Sequence, residues 1–196
     1  GAAATGTGAF TTADVDRSAK VEVANDDTNA MLGFSDQVGY GGTNNGRSPY
    51  STVSGGTLEV DFTASDAQGV SSAGLNKADS TFTFQDTFKI VNQGTTDVLI
   101  GIDVSALEAL EVGDPNSNDK IFDSVEVTID GPSVANGTDI TDTLDFGTDP
   151  VSIDNSKSGA VLEPGQEAYV DWKFETGRRG GPFNEEISIG GVDVDA

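Results

Sequence analysis

Apolar and polar residues alternate one by one along most of this chain, and that period of two excludes most folds before any other property is considered. Ala19, Val21 and Val23 alternate with Lys20 and Glu22, and Leu58, Val60, Phe62 and Ala64 with Glu59, Asp61 and Thr63. Phe82, Phe84, Phe88 and Ile90 share a parity that Asp86 interrupts, which predicts a bulge or a buried partner there. Val98, Ile100, Ile102 and Val104 follow, then Val125, Val127 and Ile129, then Val170, Trp172 and Phe174. Successive side chains of a strand point to opposite faces, so this pattern marks half-buried antiparallel strands rather than a parallel sheet. Only 105–111 reads as helix, a short one with Ala106, Leu107 and Leu110 on one side. Strands this numerous with so little helix predict an all-β fold: a jelly-roll-like antiparallel β-sandwich. Trp172, flanked in parity by Val170 and Phe174, reads as core rather than as a stacking platform.

Turn chemistry agrees with the strands. Asn92-Gln93-Gly94 ends one strand before the next begins, and Pro164-Gly165 suits the central positions of a type II turn. Near the end Ile187 and Ile189 occupy one parity and Val192 and Val194 the other. The intervening Gly190-Gly191 predicts a bulge that keeps all four inward. Two long connections, 35–56 and 65–80, are rich in Gly, Ser and Asn and read as loops. Tyr40 and Tyr50 give the first of them side chains that an interface could bury.

The first thirteen residues stand apart. They carry no charge, and alternation places Ala2, Ala4, Gly6, Gly8, Phe10 and Thr12 on one face of an extended segment. So small-sided a strand cannot fold alone. Its glycines permit close backbone approach and Phe10 can fill a pocket, which suits it to slide into a groove of another sheet. An opening Gly in place of Met predicts a processed, exported chain from which a signal peptide has been removed. The expected organisation is an arm over 1–13 and a single sandwich domain over 14–196.

Charge narrows the partners. The 196 residues include 33 acidic and 10 basic ones, a formal net charge of −23. Nucleic acid and anionic membrane surfaces are repelled by such a chain. Identical subunits repel one another as well, except in strong salt, where the Debye length falls to about 3 Å at 1 M. The balance is similar to the acidic surfaces of proteins from extreme halophiles, and a calcium-rich extracellular setting would also suit it. Cysteine is absent, so no disulfide staples the fold. Histidine is absent too, which removes the commonest general base and zinc ligand together. No apolar run reaches the ~18 residues of a spanning helix.

Few constellations could carry chemistry. Ser-His and Cys-His catalysis lack their partners, and carboxylate pairs discriminate nothing in so acidic a chain. The chain is therefore expected not to be an enzyme. Asp114, Asn116 and Asn118 follow the first half of a calcium loop, whose alternate oxygens can converge on a hard cation. Its second half fails, because Asp119 replaces the turn glycine and Val125 the bidentate Glu. No cofactor is required on this reading, and calcium or another cation is the one class those residues would accept. Asn136-Gly137-Thr138 is the sole N-x-S/T triplet, a glycan acceptor on an exported chain. Arg178-Arg179 is the sole cluster of positive charge, suited either to a neighbour's carboxylates or to a solvated hairpin tip.

Three segments together resemble the TasA/camelysin superfamily and its archaeal relatives, the bundling-pilus subunits and similar acidic haloarchaeal surface proteins. They are Gly6-Thr-Gly-Ala-Phe-Thr-Thr-Ala-Asp14; Phe88-Lys-Ile-Val-Asn-Gln-Gly94 with Asp97-Val-Leu-Ile-Gly-Ile-Asp103; and Leu162-Glu-Pro-Gly165 with the strand after it. The resemblance implies an extracellular or cell-surface subunit that polymerises head to tail with itself by donor-strand exchange. The residues matching the donor are Ala2 to Thr12. Some relatives have been labelled metalloproteases, and without histidine that activity does not carry over. The alternative from another class is a monomeric surface module that binds carbohydrate or another ligand through 35–56.

Overall fold

The computed structural model describes residues 32–40, 46–54, 57–62, 75, 79–111, 119–132, 134–145, 152–153, 160–178, 183, 185 and 187–194. It is an all-β sandwich. The larger sheet has five strands in the order β1 (Leu32–Ser35), β6 (Thr81–Asn92), β13 (Glu167–Thr176), β8 (Phe122–Gly131) and β9 (Val134–Asp139). The smaller sheet has three, β12 (Ala160–Leu162), β7 (Val98–Asp103) and β14 (Ser188–Asp193). Neighbours within both sheets run antiparallel. Three small ribbons flank them: β2 (Gln37–Tyr40) with β3 (Gly46–Arg47), β4 (Ser51–Ser54) with β5 (Thr57–Val60), and β10 (Leu144–Asp145) with β11 (Ser152–Ile153). A short helix, α1 (Ser105–Glu108), follows β7 and buries Leu107.

The alternation works as expected in the central strand. Ala168, Val170, Trp172, Phe174 and Thr176 of β13 are buried, and the residues between them face outward. Phe84, Phe88 and Ile90 from β6 and Val125, Val127 and Ile129 from β8 cover the same inner face. Phe62, just past β5, lies with its ring centroid 4.8 Å from Phe84, 4.8 Å from Phe174 and 5.4 Å from Trp172. β7 departs from alternation because both its faces are covered: Val98 through Ile102 are all buried. Gly101 permits this, since a Cβ there would come within 2.9 Å of the Leu144 backbone nitrogen.

Asp86 does mark a bulge. Val170 pairs with Phe88 and Trp172 with Phe84, so Asp171 alone spans Gln85, Asp86 and Thr87. Asp86 takes a left-handed φ of 50°, and its backbone N–H donates to Asp171 Oδ1 at 2.7 Å. Thr87, turned inward by the extra residues, donates its hydroxyl to the Val170 carbonyl at 2.8 Å.

Other expectations are corrected. The segment 35–56 is not a loop, because β2, β3 and β4 lie within it and β1 ends at its start. No bulge forms at Gly190-Gly191. β14 pairs with β7 in unbroken register from Ser188 opposite Asp103 to Asp193 opposite Val98. Val194 is accordingly 41% exposed rather than inward. The glycines serve close packing instead: a Cβ on Gly191 would overlap Val98 Cγ1 and come within 3.3 Å of Leu32 Cδ1. The strand expected around Val21 and most of 65–80 lie outside the described residues, although Leu75 is placed in the core.

Asn92 joins the two sheets. Its backbone N–H donates to the Gln166 carbonyl at 3.0 Å, and its own carbonyl accepts from the Gly165 N–H at 2.8 Å. Its side-chain Nδ2 donates to the carbonyls of Thr96 and Leu162, both at 2.8 Å, and Oδ1 accepts from the Gly94 N–H at 2.9 Å. The partner turn is type II as expected: Gly165 has φ 79°, and the Gln166 N–H closes on the Glu163 carbonyl at 3.0 Å. Asn92 is wholly buried. Asn92→Ala should therefore strand several buried polar groups and cost about 2–4 kcal/mol, measured by denaturant unfolding. A loss below about 0.5 kcal/mol would show that water replaces the amide freely.

Candidate functional site

The side of the sandwich where β1 meets β14 is the candidate site. β14 has β7 along one edge, and no described strand pairs with its other edge. On the facing sheet β1 pairs only with residues 89–92 of β6. The outer edge of β6 over 81–88 therefore has no described strand partner either. Leu32 of β1 packs over Gly191 of β14, with its Cδ1 3.3 Å from where a Cβ there would lie. Ile189, Gly190 and Gly191 are buried, and the two glycines present no side chain along this stretch of β14. A strand edge with no described partner is where a further strand can add.

The other edge of β7 is fully used, which shows how the same sheet closes elsewhere. β12 covers Val98 to Ile100. Beyond it, the Ile102 N–H donates to the Ile140 carbonyl at 3.1 Å and the Asp142 N–H to the Ile102 carbonyl at 2.7 Å. Asp142, at φ 49°, also accepts the Val104 N–H on Oδ1 at 3.2 Å.

The described residues among those singled out in the sequence do not gather at one place. Ala2, Ala4, Gly6, Gly8, Phe10 and Thr12, like Arg179 and the trio Asp114, Asn116 and Asn118, lie outside the described residues. Among the described residues no group of three or more acidic side chains is arranged to hold a metal ion. Tyr40 lies at the end of β2. Tyr50 is corrected: it is 6% exposed and packs edge-on against Phe84 at 5.3 Å, in its own core rather than at a surface. It lies just before β4, which pairs with the strand read at Leu58 and Val60, and β4 itself falls in the stretch expected to be a loop. Arg178 is exposed just beyond β13. Asn136 is exposed on β9, at the opposite margin of the large sheet from β1.

The solvent face of β13 carries an arrangement that spacing alone did not reveal. Lys89 Nζ pairs with Glu167 Oε2 at 2.8 Å, and Lys173 Nζ with Glu126 and Glu175 at 3.3 Å each. The hydrogen bond from Lys89 is the chief cause that holds the Glu167 carboxyl below its usual range. Burial is the chief cause that pushes Tyr169, which donates to Glu167 Oε1 at 3.1 Å, above its usual value. Between these pairs Asp171 has carboxylates for neighbours, Asp86 and Asp130. Burial, then those two charges, push Asp171 up to about 6, against the pull of the Asp86 N–H. Asp86 is also raised, by burial and then by Asp130.

The folded chain thus holds a proton on Asp171 more tightly than the unfolded chain does. The stability this provides is complete below pH ~4 and is lost as pH rises through about 6. Asn at this position keeps an oxygen for the Asp86 N–H and removes the charge. Asp171→Asn should raise stability at pH 7 by about 1 kcal/mol, a value reduced for a half-exposed group. The gain should disappear below pH ~4 in unfolding curves. An equal gain at both pH values would assign the effect to something other than ionisation.

Comparison with family models and with curated proteins finds no match. No helix among the described residues is long and apolar enough to cross a membrane.

Proposed function

We propose that this chain is the structural subunit of an extracellular filament, a jelly-roll-like sandwich completed by the N-terminal arm of a neighbouring copy. The observation that carries this reading is the β14 edge, which lacks a described partner while its glycine pair is buried. A strand laid there needs small side chains to approach the backbone closely. Ala2 to Gly8 supply them, and Phe10 supplies one large anchor. Backbone ladder bonds give such a contact strength, and the anchor gives it register. A head-to-tail contact whose rotation does not close extends into a fibre.

Burying Phe10 is worth roughly 1.5–3 kcal/mol. Deleting residues 1–12 should leave soluble monomers, and Phe10→Asp should shorten or abolish filaments, as scored by negative-stain microscopy and size-exclusion chromatography. Filaments of normal length from the deletion variant would overturn the reading.

The charge of −23 adds a second expectation. Subunit bodies in contact repel across a Debye length of about 10 Å at 0.1 M salt but only about 3 Å at 1 M. Filaments should loosen or dissociate on dialysis into dilute buffer free of divalent ions. Scattering that stays constant through that dialysis would mean that screening does not govern the subunit contact.

A further inference from the structure

Asn136, Gly137 and Thr138 form the chain's sole N-x-S/T triplet, and β9 carries it at the outer margin of the five-stranded sheet. The pairing of β9 with β8 is interrupted there. Thr138 lies opposite Ile129 and Val134 opposite Gly131, so Asp130 alone spans Ala135, Asn136 and Gly137. All three of these residues are exposed. Gly137 takes φ 73°, and no described atom outside Gly137 and its chain neighbours lies within 4 Å of where its Cβ would be. The bend is nevertheless held: Asp130 Oδ1 accepts the Gly137 N–H at 2.7 Å, and the Thr138 hydroxyl donates to the Ala135 carbonyl at 2.6 Å.

We propose that Asn136 is an N-glycosylation site whose co-substrate is an oligosaccharide linked to a polyprenyl phosphate or diphosphate. Asn136 Nδ2 attacks the anomeric carbon of the first sugar. The new C–N bond forms as the C–O bond to phosphate breaks, the lipid phosphate leaves with the bonding pair, and the amide proton passes to a base of the transferase. No oxidation or reduction is involved. The triplet has the features this transfer requires: a hydroxyl two residues on, no proline between, and a backbone that bulges out of the sheet into open space. The same geometry protects the acceptor. Asn-Gly sequences lose their amide when the following backbone nitrogen attacks the side chain, and here that N–H is engaged by Asp130.

A glycan at this position has a structural consequence. It would cover the β9 margin with a bulky, hydrated group, which blocks strand addition there. β1, at the opposite margin of the large sheet, lies away from it. The inference rests on the export of the chain proposed above, and not on its polymerisation.

The test is peptide and intact mass spectrometry of the protein recovered from the exterior of its natural host, beside Asn136→Gln, Thr138→Ala and Thr138→Ser variants. The peptide containing Asn136 should be heavier by whole sugar residues. That shift should vanish in Asn136→Gln and Thr138→Ala and persist in Thr138→Ser. Exported protein with a bare Asn136 would overturn the inference and leave the filament reading standing. Protein found only inside the cell with a bare Asn136 would overturn the inference and the export reading together. A sugar mass that survives Asn136→Gln would refute the assignment to this residue. Electron microscopy of the same samples scores filaments independently.

Discussion

The packed rings around Phe174 hold together a chain whose charge works to drive it apart. Phe174 stacks on Trp172 with ring planes 6° apart and touches Phe62, Phe84 and Phe122 at centroid distances of 4.8, 6.0 and 5.1 Å. These rings come from three strands of the large sheet and from the turn after β5, so a single cluster fastens the β4–β5 ribbon to the body. Pairs of this geometry contribute about 0.5–1.5 kcal/mol each beyond the apolar area they hide. Without cysteine the fold has no covalent alternative. Most described acidic side chains are at least partly exposed, where water and salt weaken their repulsion, whereas the rings act in a medium that excludes both.

Around that cluster, much of the architecture consists of finding partners for buried peptide groups. Asn92 serves the corner between the sheets with every polar atom it has. Thr141 serves another: its hydroxyl accepts the Val127 N–H at 2.8 Å and donates to the Val127 carbonyl at 3.3 Å, continuing the β8 edge past the end of β9. Segment 140–142 then completes the edge of β7. Short polar side chains here satisfy backbone groups that a further strand would otherwise pair.

The sandwich was legible in the sequence because alternation reports burial on one face, and β6, β8 and β13 are buried on one face only. The Asp86 bulge was legible for the same reason: a carboxylate in an apolar parity must either turn away from the core or be met there by a partner. The type II turn at Pro164-Gly165 could be read from residue chemistry alone. What sequence could not convey depends on neighbours distant along the chain. The alternation at Leu58 and Val60 marks β5, but the β2–β3 ribbon and the pairing of β4 with β5, which accompany the burial of Tyr50, Leu58 and Phe62, could not be read from that Gly- and Ser-rich stretch. The Gly190-Gly191 pair has the local signature of a bulge, yet its cause is Val98 and Leu32 pressing from outside its own strand. The first thirteen residues are conspicuous in the sequence for their lack of charge, while the β14 edge without a described partner emerges only once strand order is known. The carboxylates that crowd Asp171 come from β6 and β8, and no spacing along one strand could have joined them.

The placement of β7 also shapes how the chain must come to its native form. Val98 pairs with Leu162, and Asp103 with Ser188, so neither neighbour of this strand exists when it leaves the ribosome. The large sheet has the same habit, with Phe82 awaiting Phe174. Pairings between such distant residues make for slow, late-completing folding. A nascent chain halted short of Ser188 would keep its most apolar strand uncovered, with a bare edge available to any other strand that arrives first.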